Sequence, residues 1–363
     1  MEKLKEVQKL GQSIWLDFIQ RGLLTSGRLQ QLVDSGVSGL TSNPTIFHKA
    51  VTQGQDYDAA IKSILKSHPD AGTRDIYDRL TVEDIQMAAD IFRPVYEASG
   101  GMVGLVSLEP DPELAYDTDG TLAEVRRLWR LVARPNLMVK VPATPSGITA
   151  IEQLIAEGIN INITLMFSMA HYEAVSQAYL NGIARCANPR QISSVASFFV
   201  SRVDTYVDRE LEKLGAEEAL ALRGKAAVAN SKLVYHRFKE VFASDEFARQ
   251  RKRGARMQRV LWGSTSTKNP DYPDLKYVEE LMGPDTVNTL PKETLDLFLD
   301  HGRVKDTLNE GVTEAEQVLK DLNKVGIDLD AITEQLQVDG VKAFRDSFDQ
   351  LLAALEEKCL QFR

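Results

Sequence analysis

The amino-acid sequence predicts an α/β protein, a (β/α)8 TIM barrel with additional helices that include a helical C-terminal tail. Eight short apolar runs of strand character alternate with amphipathic helical runs along the 363 residues, and eight is the strand number of a closed (β/α)8 barrel. Seven of these runs end in polar residues, where the catalytic groups of such a barrel lie. A doubly wound open sheet is the alternative, but it usually carries a glycine-rich phosphate turn after its first strand. The sequence contains no G-x-G-x-x-G pattern.

The strand runs are short, apolar and bounded by turn residues such as Gly, Pro and Asn. They occupy residues 13–19, 37–44, 101–110, two places within 137–168, 191–202, 257–270 and 285–291. Helical periodicity fills the intervals, with one helix expected to begin near Thr81, another with a capping box of Thr121 and Glu124, and a long helical region over 203–253. We expect a single domain over 1–363, in which the helical segment 292–363 packs on the barrel.

Residues 137–168 form one predicted βαβ unit, LMVKVPATPSGITAIEQLIAEGININITLMFS, and they contain an unusual lysine. Lys140 lies between Val139 and Val141 in the first strand of this unit. These apolar neighbours cannot form the hydrogen bonds that an ammonium group loses when it is removed from water. Desolvation disfavours the charged form of an amine, and an uncharged lysine is a nucleophile that forms Schiff bases with carbonyl compounds. The alternative is a lysine that extends from the strand end into solvent.

Other polar residues end the remaining strands. They are Asp17, Asn43, Glu109, Asn162, Thr164, Ser197, Arg202 and the segment 264–268, which includes Lys268. Any one of them could be a cap or a turn residue. Asn162 and Thr164 alternate with aliphatic residues, so both lie on one face of their strand, which we assign to the barrel interior. The set as a whole predicts an active site at the carboxyl ends of the strands.

Composition limits the classes of protein that the chain could belong to. A net charge of −9 argues against general nucleic-acid binding, and no apolar run has the length of a membrane span. The N-terminus is charged and lacks an apolar signal region, and the cysteines Cys186 and Cys359 lie far apart. We therefore expect a cytoplasmic protein.

The scattered histidines predict no metal site, although spacing does not exclude one made of Asp and Glu. We also expect no cofactor. The sequence does not distinguish a monomer from a homodimer.

Eight separated motifs resemble, in order and spacing, those of the transaldolase family in its longer bacterial form. They are WLDFI, TSNPTIF, VSLEPDPELAYD, LMVKVPATPSGI, INITLMFS, SFFVSRVD, STSTKNP and DTVNTLP, and they extend over nearly the whole chain. The resemblance implies transfer of a dihydroxyacetone unit from sedoheptulose 7-phosphate to glyceraldehyde 3-phosphate. The products would be erythrose 4-phosphate and fructose 6-phosphate, in the non-oxidative pentose phosphate pathway.

The resemblance implies catalytic roles for four residues. Lys140 would form a Schiff base with the ketone of a ketose phosphate. Glu109 would move protons through a water molecule held with Thr164, and Asp17 would deprotonate the sugar hydroxyl whose ionisation drives carbon–carbon cleavage. An iminium ion accepts electrons, so this chemistry needs no metal to stabilise the carbanion.

The resemblance also implies a set of substrate-binding residues. They are Asn43, Asn162, Ser197, Phe199, Arg202 and Lys268. The two asparagines would hold the dihydroxyacetone unit, and the S-x-F-x-x-R pattern would bind the phosphate. Shorter transaldolases have an arginine after strand seven, where this chain has Lys268 with an extra residue in the turn. Since a lysine lacks the guanidinium fork, we expect looser phosphate geometry there.

Two other functions are compatible with this sequence. A fructose 6-phosphate aldolase-like enzyme would release free dihydroxyacetone instead of transferring it. Glutamate at position 109 favours the transferase, because the shorter related aldolases that this chain resembles have a different proton-handling group in the site. A non-catalytic barrel would lose some of Asp17, Glu109 and Lys140, yet all three are present.

Overall fold

A computed structural model of the chain describes residues 2–52 and 54–363 and shows a closed barrel of eight parallel strands. The strands follow one another around the barrel in chain order. They are β1 (Gln12–Asp17), β2 (Gly39–Thr41), β3 (Leu105–Leu108), β4 (Leu137–Pro142), β5 (Ile161–Met166), β6 (Ser194–Phe199), β7 (Arg259–Gly263) and β8 (Thr286–Leu290). β8 pairs with β1, from Thr286 opposite Gln12 to Leu290 opposite Leu16, and this pairing closes the barrel. The predicted (β/α)8 fold is confirmed.

Helices surround the barrel and extend the chain beyond it. The α-helices are α1 (Glu2–Leu10), α2 (Arg21–Thr25), α3 (Arg28–Ser35), α4 (Pro44–Thr52), α5 (Asp58–Ser67), α6 (Thr73–Ala98), α7 (Thr118–Val132), α8 (Pro145–Ala156), α9 (Met169–Arg185), α10 (Ser201–Leu214), α11 (Glu217–Leu220), α12 (Ala226–Ala243), α13 (Asp245–Lys252), α14 (Lys276–Glu280), α15 (Lys292–His301), α16 (Val312–Lys324) and α17 (Leu329–Phe362). Short 3-10 helices lie at Pro112–Tyr116 and Pro189–Gln191. The helical C-terminal tail is therefore confirmed.

Alternation along each strand separates two apolar cores. In β1, Ile14 and Leu16 join the large core between the barrel and the helices, whereas Trp15 points into the barrel. There it packs in a separate buried cluster with side chains from other strands, namely Leu105, Met138, Val195, Leu261 and Val287. This inner cluster fills one part of the barrel, so polar side chains can occupy the interior nearer the carboxyl ends.

The last helix, α17, runs across the carboxyl-terminal face of the barrel. It contacts α4, α5, α6, α10 and β5. The hydroxyl of Thr45 in α4 donates to the hydroxyl of Ser347, and the ammonium of Lys358 donates to a carboxylate oxygen of Asp58 in α5. From these contacts we propose that the whole chain is one domain in which the C-terminal segment packs on the barrel.

Several predicted element boundaries are wrong. The helix expected from Thr81 begins at Thr73, and the Thr81 hydroxyl donates to the carbonyl of Tyr77 within that helix. The capping box of Thr121 and Glu124 is also wrong, because Asp117 caps α7 through the backbone N–H of Gly120. In both places the threonine hydroxyl donates to a backbone carbonyl that precedes it in the chain. Such a threonine cannot be distinguished from an N-cap by sequence alone.

The helical regions are also more divided than the sequence predicts. The stretch 203–253 is divided among four helices, α10 to α13, with non-helical residues between them, and the segment between α15 and α16 is not helical. Strands are shorter than their apolar runs, since pairing ends where the chain turns towards the helices. In the described part of the chain, no helix is both long and apolar enough to cross a membrane.

We predict that Gly104→Ala lowers the free energy of unfolding by about 3 kcal/mol or more, because it adds strain and overpacking together. Gly104 precedes β3 with a φ of +81°, and a Cβ there would lie 2.6 Å from the backbone nitrogen of Tyr96 in α6. Gly100→Ala is the control, since its φ is +63° but no heavy atom lies within 4 Å of the added carbon. Chemical unfolding should show a much smaller loss for the control. Equal losses would mean that the contact with α6 is unimportant.

Candidate active site

The carboxyl ends of the strands surround a cleft of about 1240 Å³. Eight predicted site residues line it, Asp17, Asn43, Lys140, Thr164, Ser197, Phe199, Arg202 and Lys268. Glu109 lies beside the cleft and lines a smaller cavity of about 30 Å³ together with Lys140 and Thr164. Asn162 is fully buried behind the cleft wall, next to Lys140 in the pairing of β4 with β5. The structure thus brings all ten residues to one end of the barrel, although Asn162 does not line either cavity.

Lys140 is buried and paired, so the alternative of a solvent-exposed lysine is wrong. Its Nζ donates to Oε1 of Glu109 and to the carbonyl of Ser42, each at 2.9 Å. Both charged side chains are only 8% exposed. The expected loss of hydration is therefore offset by partners that are distant in sequence, one after β3 and one after β2.

Two buried carboxyl groups share the site with two cations. Burial raises the pKa of Glu109, although the charge and the hydrogen bond of Lys140 oppose that rise. Burial likewise raises the pKa of Asp17, against the charge of Lys140 and a hydrogen bond from Thr41. The pKa of Arg202 is lowered by burial and held up by the same two carboxylates. A carboxyl group whose pKa is raised can exchange protons closer to neutral pH than an ordinary one.

Two threonines that we did not predict as site residues position Asp17 at the end of β1. The hydroxyl of Thr41 donates to Oδ1 of Asp17 at 2.7 Å, and it lies 2.8 Å from the hydroxyl of Thr289. Both threonines line the cleft at strand ends. Their positions within the strand-end motifs TSNPTIF and DTVNTLP were the signal that could have identified them.

Thr164 has a buried hydroxyl that faces both cavities. Within residues 2–52 and 54–363, its Oγ1 has no hydrogen-bond partner. Burial of an unpaired hydroxyl is unfavourable, so this atom is suited to bind a small polar molecule between itself and Glu109. The aliphatic neighbours Ile161, Ile163 and Leu165 join the outer core, as the alternating pattern of β5 predicts.

Asn162 and Ser197 form a polar network inside the barrel. The side-chain amide of Asn162 donates to the hydroxyl of Ser107 at 3.0 Å, and its oxygen accepts from the hydroxyl of Ser197 at 2.6 Å. These bonds connect β3, β5 and β6 beneath the cleft. Since Ser197 donates to Asn162, it presents only its oxygen lone pairs to the cleft.

Arg202 lies in the first turn of α10 and not in β6, where we predicted it. Its guanidinium lies over the ring of Phe199, 5.2 Å from the centroid, and Phe199 is 5.4 Å from the ring of Phe167. This stacking places the cation inside the cleft. Lys268 is exposed in the loop after β7, the strand next to β6, and it also lines the cleft.

Asn43 both caps a helix and lines the cleft. Its Oδ1 accepts from the backbone N–H of Ile46 in the first turn of α4, as the cap or turn alternative predicted. The same residue lines the cleft. The cap fixes the orientation of the side chain and leaves its amide N–H groups available to a ligand.

The C-terminal helix supplies cleft residues that the sequence did not reveal. Leu336, Gly340 and Phe344 of α17 line the cleft opposite the strand ends, and Phe344 also borders the smaller cavity. Their helical pattern resembles that of any amphipathic helix, so no local signal identified them. Among the described residues, no group of three His, Cys, Asp or Glu side chains is suited to hold a metal ion.

Known proteins resemble this chain along almost its full length. The family model for Transaldolase/Fructose-6-phosphate aldolase matches residues 14–355. A protein of Thiobacillus denitrificans named transaldolase is 48% identical over 360 residues, which cover 98% of this chain and 100% of that protein. A transaldolase of Mycobacterium ulcerans is 46% identical, with 97% of this chain and 96% of that protein covered. A transaldolase of a Parafrankia species is 45% identical, with coverages of 98% and 97%.

We predict that Lys140→Met lowers the free energy of unfolding more at about pH 8 than at about pH 5. Without the cation, the raised pKa of Glu109 rises further. A carboxyl group whose pKa is higher in the folded protein than in the unfolded protein destabilises the fold at high pH. The loss of stability begins as the pH rises above the unfolded pKa and is complete above the folded pKa. Loss of one partner of a buried pair should cost about 3 kcal/mol at the higher pH.

Chemical unfolding at both pH values measures this difference. The double variant Lys140→Met/Glu109→Gln is the control, because it has no carboxyl group at position 109 to titrate. It should show less of the added pH dependence, because only Asp17, whose pKa Lys140 also lowers, still responds to the loss of the cation. A penalty in the single variant that does not change with pH would contradict the prediction.

Proposed function

Because the chain belongs to the transaldolase/fructose-6-phosphate aldolase family, we propose that it acts as a transaldolase through a Schiff base on Lys140. The observation that carries the mechanism is the buried contact of 2.9 Å between Nζ of Lys140 and Oε1 of Glu109. We take this carboxylate, whose pKa burial raises, as the base that accepts the proton of the ammonium group before the attack. The neutral amine that remains is a nucleophile beside a large cleft.

The first chemical step joins the substrate to Lys140. The amine attacks the ketone carbon of a ketose phosphate and forms a carbinolamine. Glu109 then protonates the hydroxyl group, which leaves as water while the iminium ion forms. The cavity of about 30 Å³ between Glu109, Lys140 and Thr164 is large enough for a water molecule, and the unpaired Oγ1 of Thr164 supports a water site there.

Asp17 is suited to the carbon–carbon cleavage that follows. As a base it takes the proton of a hydroxyl group on the substrate. This hydroxyl is on the carbon of the breaking bond that becomes the aldehyde carbon of the leaving aldose phosphate. The bonding electrons move to the iminium and give an enamine, and an aldose phosphate leaves. An acceptor aldehyde is then attacked by the enamine carbon, its oxygen takes the proton from Asp17, and water releases the new ketose phosphate from Lys140. Thr41 orients the carboxylate for both proton transfers.

The cationic side of the cleft supports a phosphorylated substrate. Arg202 offers a planar fork of N–H donors that matches a phosphate, and stacking on Phe199 fixes its plane. Lys268 in the loop after β7 adds a second positive charge to the cleft. Asn43 would hold the dihydroxyacetone unit. Asn162 is fully buried and lines neither cavity, so it would support the site from behind Lys140 with Ser197.

We propose further that the enzyme acts in the non-oxidative pentose phosphate pathway and in the cytoplasm. Sugar phosphates of the non-oxidative pentose phosphate pathway are the substrates that the family implies. Both cysteines are free and buried, which is typical of proteins from a reducing compartment such as the cytoplasm.

We predict that borohydride traps a reduced three-carbon adduct on Lys140 when the protein is mixed with fructose 6-phosphate. Reduction converts the Schiff base into a stable secondary amine, which intact mass measurement and peptide mapping locate. Lys140→Arg should give no adduct, whereas Lys268→Arg should still be labelled. An adduct on a different lysine would contradict the assigned nucleophile.

We predict that dihydroxyacetone transfer is at least about tenfold faster than its release as a free product. With fructose 6-phosphate alone, little free dihydroxyacetone should accumulate, because α17 forms one wall of the cleft and limits the access of water to the enamine. Addition of erythrose 4-phosphate should produce sedoheptulose 7-phosphate rapidly. Release without an acceptor at the rate of transfer would favour the aldolase alternative and leave the Schiff base unaffected.

A further inference from the structure

Strand β5 is irregular at the residue that borders both cavities. Its pairing with β6 shifts between Ile163 and Met166, so that Thr164 and Leu165 together lie opposite Ser197. Leu165 has a φ of +60°, a left-handed conformation that is unfavourable for a branched residue. A bulge of this kind changes the direction of the neighbouring side chain, and here that side chain is Thr164.

A buried glutamine from the C-terminal helix holds this bulge. Nε2 of Gln337 in α17 donates to the carbonyl of Leu165 and to the carbonyl of Ala143, each at 3.0 Å. The backbone N–H of Ala143 in turn donates to the carbonyl of Thr164 at 2.8 Å. Gln337 is only 5% exposed. One amide group thus joins β5 to the residue that follows β4, the strand that carries Lys140.

A glycine one turn later allows the helix to approach the same leucine. A Cβ at Gly340 would lie 2.8 Å from Cδ2 of Leu165, which is closer than side chains pack. The backbone of α17 therefore rests directly on Leu165. Two independent features of the helix, a hydrogen-bonding amide and a missing side chain, converge on the strained residue.

We propose that Gln337 is a positioning residue for the reaction, which sets the direction of the Thr164 hydroxyl by holding the bulge at Leu165. The inference rests on the proposed function, because it assigns Gln337 to the proton transfers of Schiff-base formation. Gln337 does not border the cleft or the smaller cavity, so it reaches the reaction only through the residues that it holds, and Thr164 is the neighbour of its bond to Leu165 that faces both cavities. Without its two hydrogen bonds the carbonyl of Leu165 turns away, and Thr164 loses its place opposite Glu109.

The test is a double-mutant cycle between Gln337→Met and Thr164→Val. Methionine keeps the shape of the glutamine side chain and removes its donors. Gln337→Met should lower kcat by about tenfold to a hundredfold, the cost of a misplaced catalytic group, and change KM by less than about twofold. In the Thr164→Val background the same change should lower kcat by less than about twofold, since the hydroxyl is already absent.

Thermal melting separates this role from a purely structural one. The fall in Tm on Gln337→Met should be the same with and without Thr164→Val, while the effect on kcat should not. Gln317→Met is the matched control, because Gln317 bonds Asp321 on the exposed face of α16 and should leave kcat unchanged. Equal losses of kcat in both backgrounds, or a loss of Tm with unchanged kcat, would overturn the proposal.

A second variant keeps the proposal testable if Gln337→Met does not fold. Gly340→Ala leaves Gln337 in place and favours the helix, but its Cβ would lie 2.8 Å from Cδ2 of Leu165, so the leucine or the helix must shift. It should lower kcat in the wild-type background and have little effect with Thr164→Val. If Thr164→Val itself leaves kcat unchanged, the positioning role fails, whereas borohydride labelling of Lys140 would still support the Schiff base.

Discussion

The buried pair of Lys140 and Glu109 is the interaction on which the rest of the site depends. Each charge loses its hydration inside the barrel, and each is stable there only because the other lies 2.9 Å away. The carbonyl of Ser42 provides a further partner for the ammonium. Such an arrangement requires the ends of β2, β3 and β4 to meet, which the closed parallel barrel provides. The fold is therefore a condition for the chemistry as well as its support.

The fold and most of the site could be predicted from the sequence because both have local patterns. Eight apolar runs gave the strand count, and polar residues at their ends gave the positions of Asp17, Glu109 and Lys140. Helix boundaries were less predictable, as Thr81 shows. Its hydroxyl bonds a carbonyl within α6, yet in sequence the residue is indistinguishable from an N-cap. The hydrophobic pattern of a segment shows reliably that a helix or strand is present. It does not locate the first residue of that element well.

Contacts between distant residues could not be predicted in the same way. The neighbours of Lys140 in sequence indicated desolvation, but nothing in them indicated that Ser42 and Glu109 would restore its hydrogen bonds. The same holds for Thr41, whose bond to Asp17 spans 24 positions. The largest omission is α17, since its cleft residues follow the general pattern of a helix that packs on a core. Which core it covers depends on the tertiary fold alone.

The role of α17 follows from a balance between strain and packing. A left-handed leucine costs about 1 to 2 kcal/mol relative to an extended one, and β5 contains Leu165 beside a proposed catalytic residue. Such strain persists only where the surroundings determine it. Gln337 satisfies the carbonyl that the bulge exposes, and Gly340 lets the helix pack on the side chain. The geometry of the site is thus maintained from outside the barrel. The bond between Gln337 and Leu165 joins residues that are 172 positions apart in the sequence. The C-terminal helix and β5 should therefore vary together rather than independently.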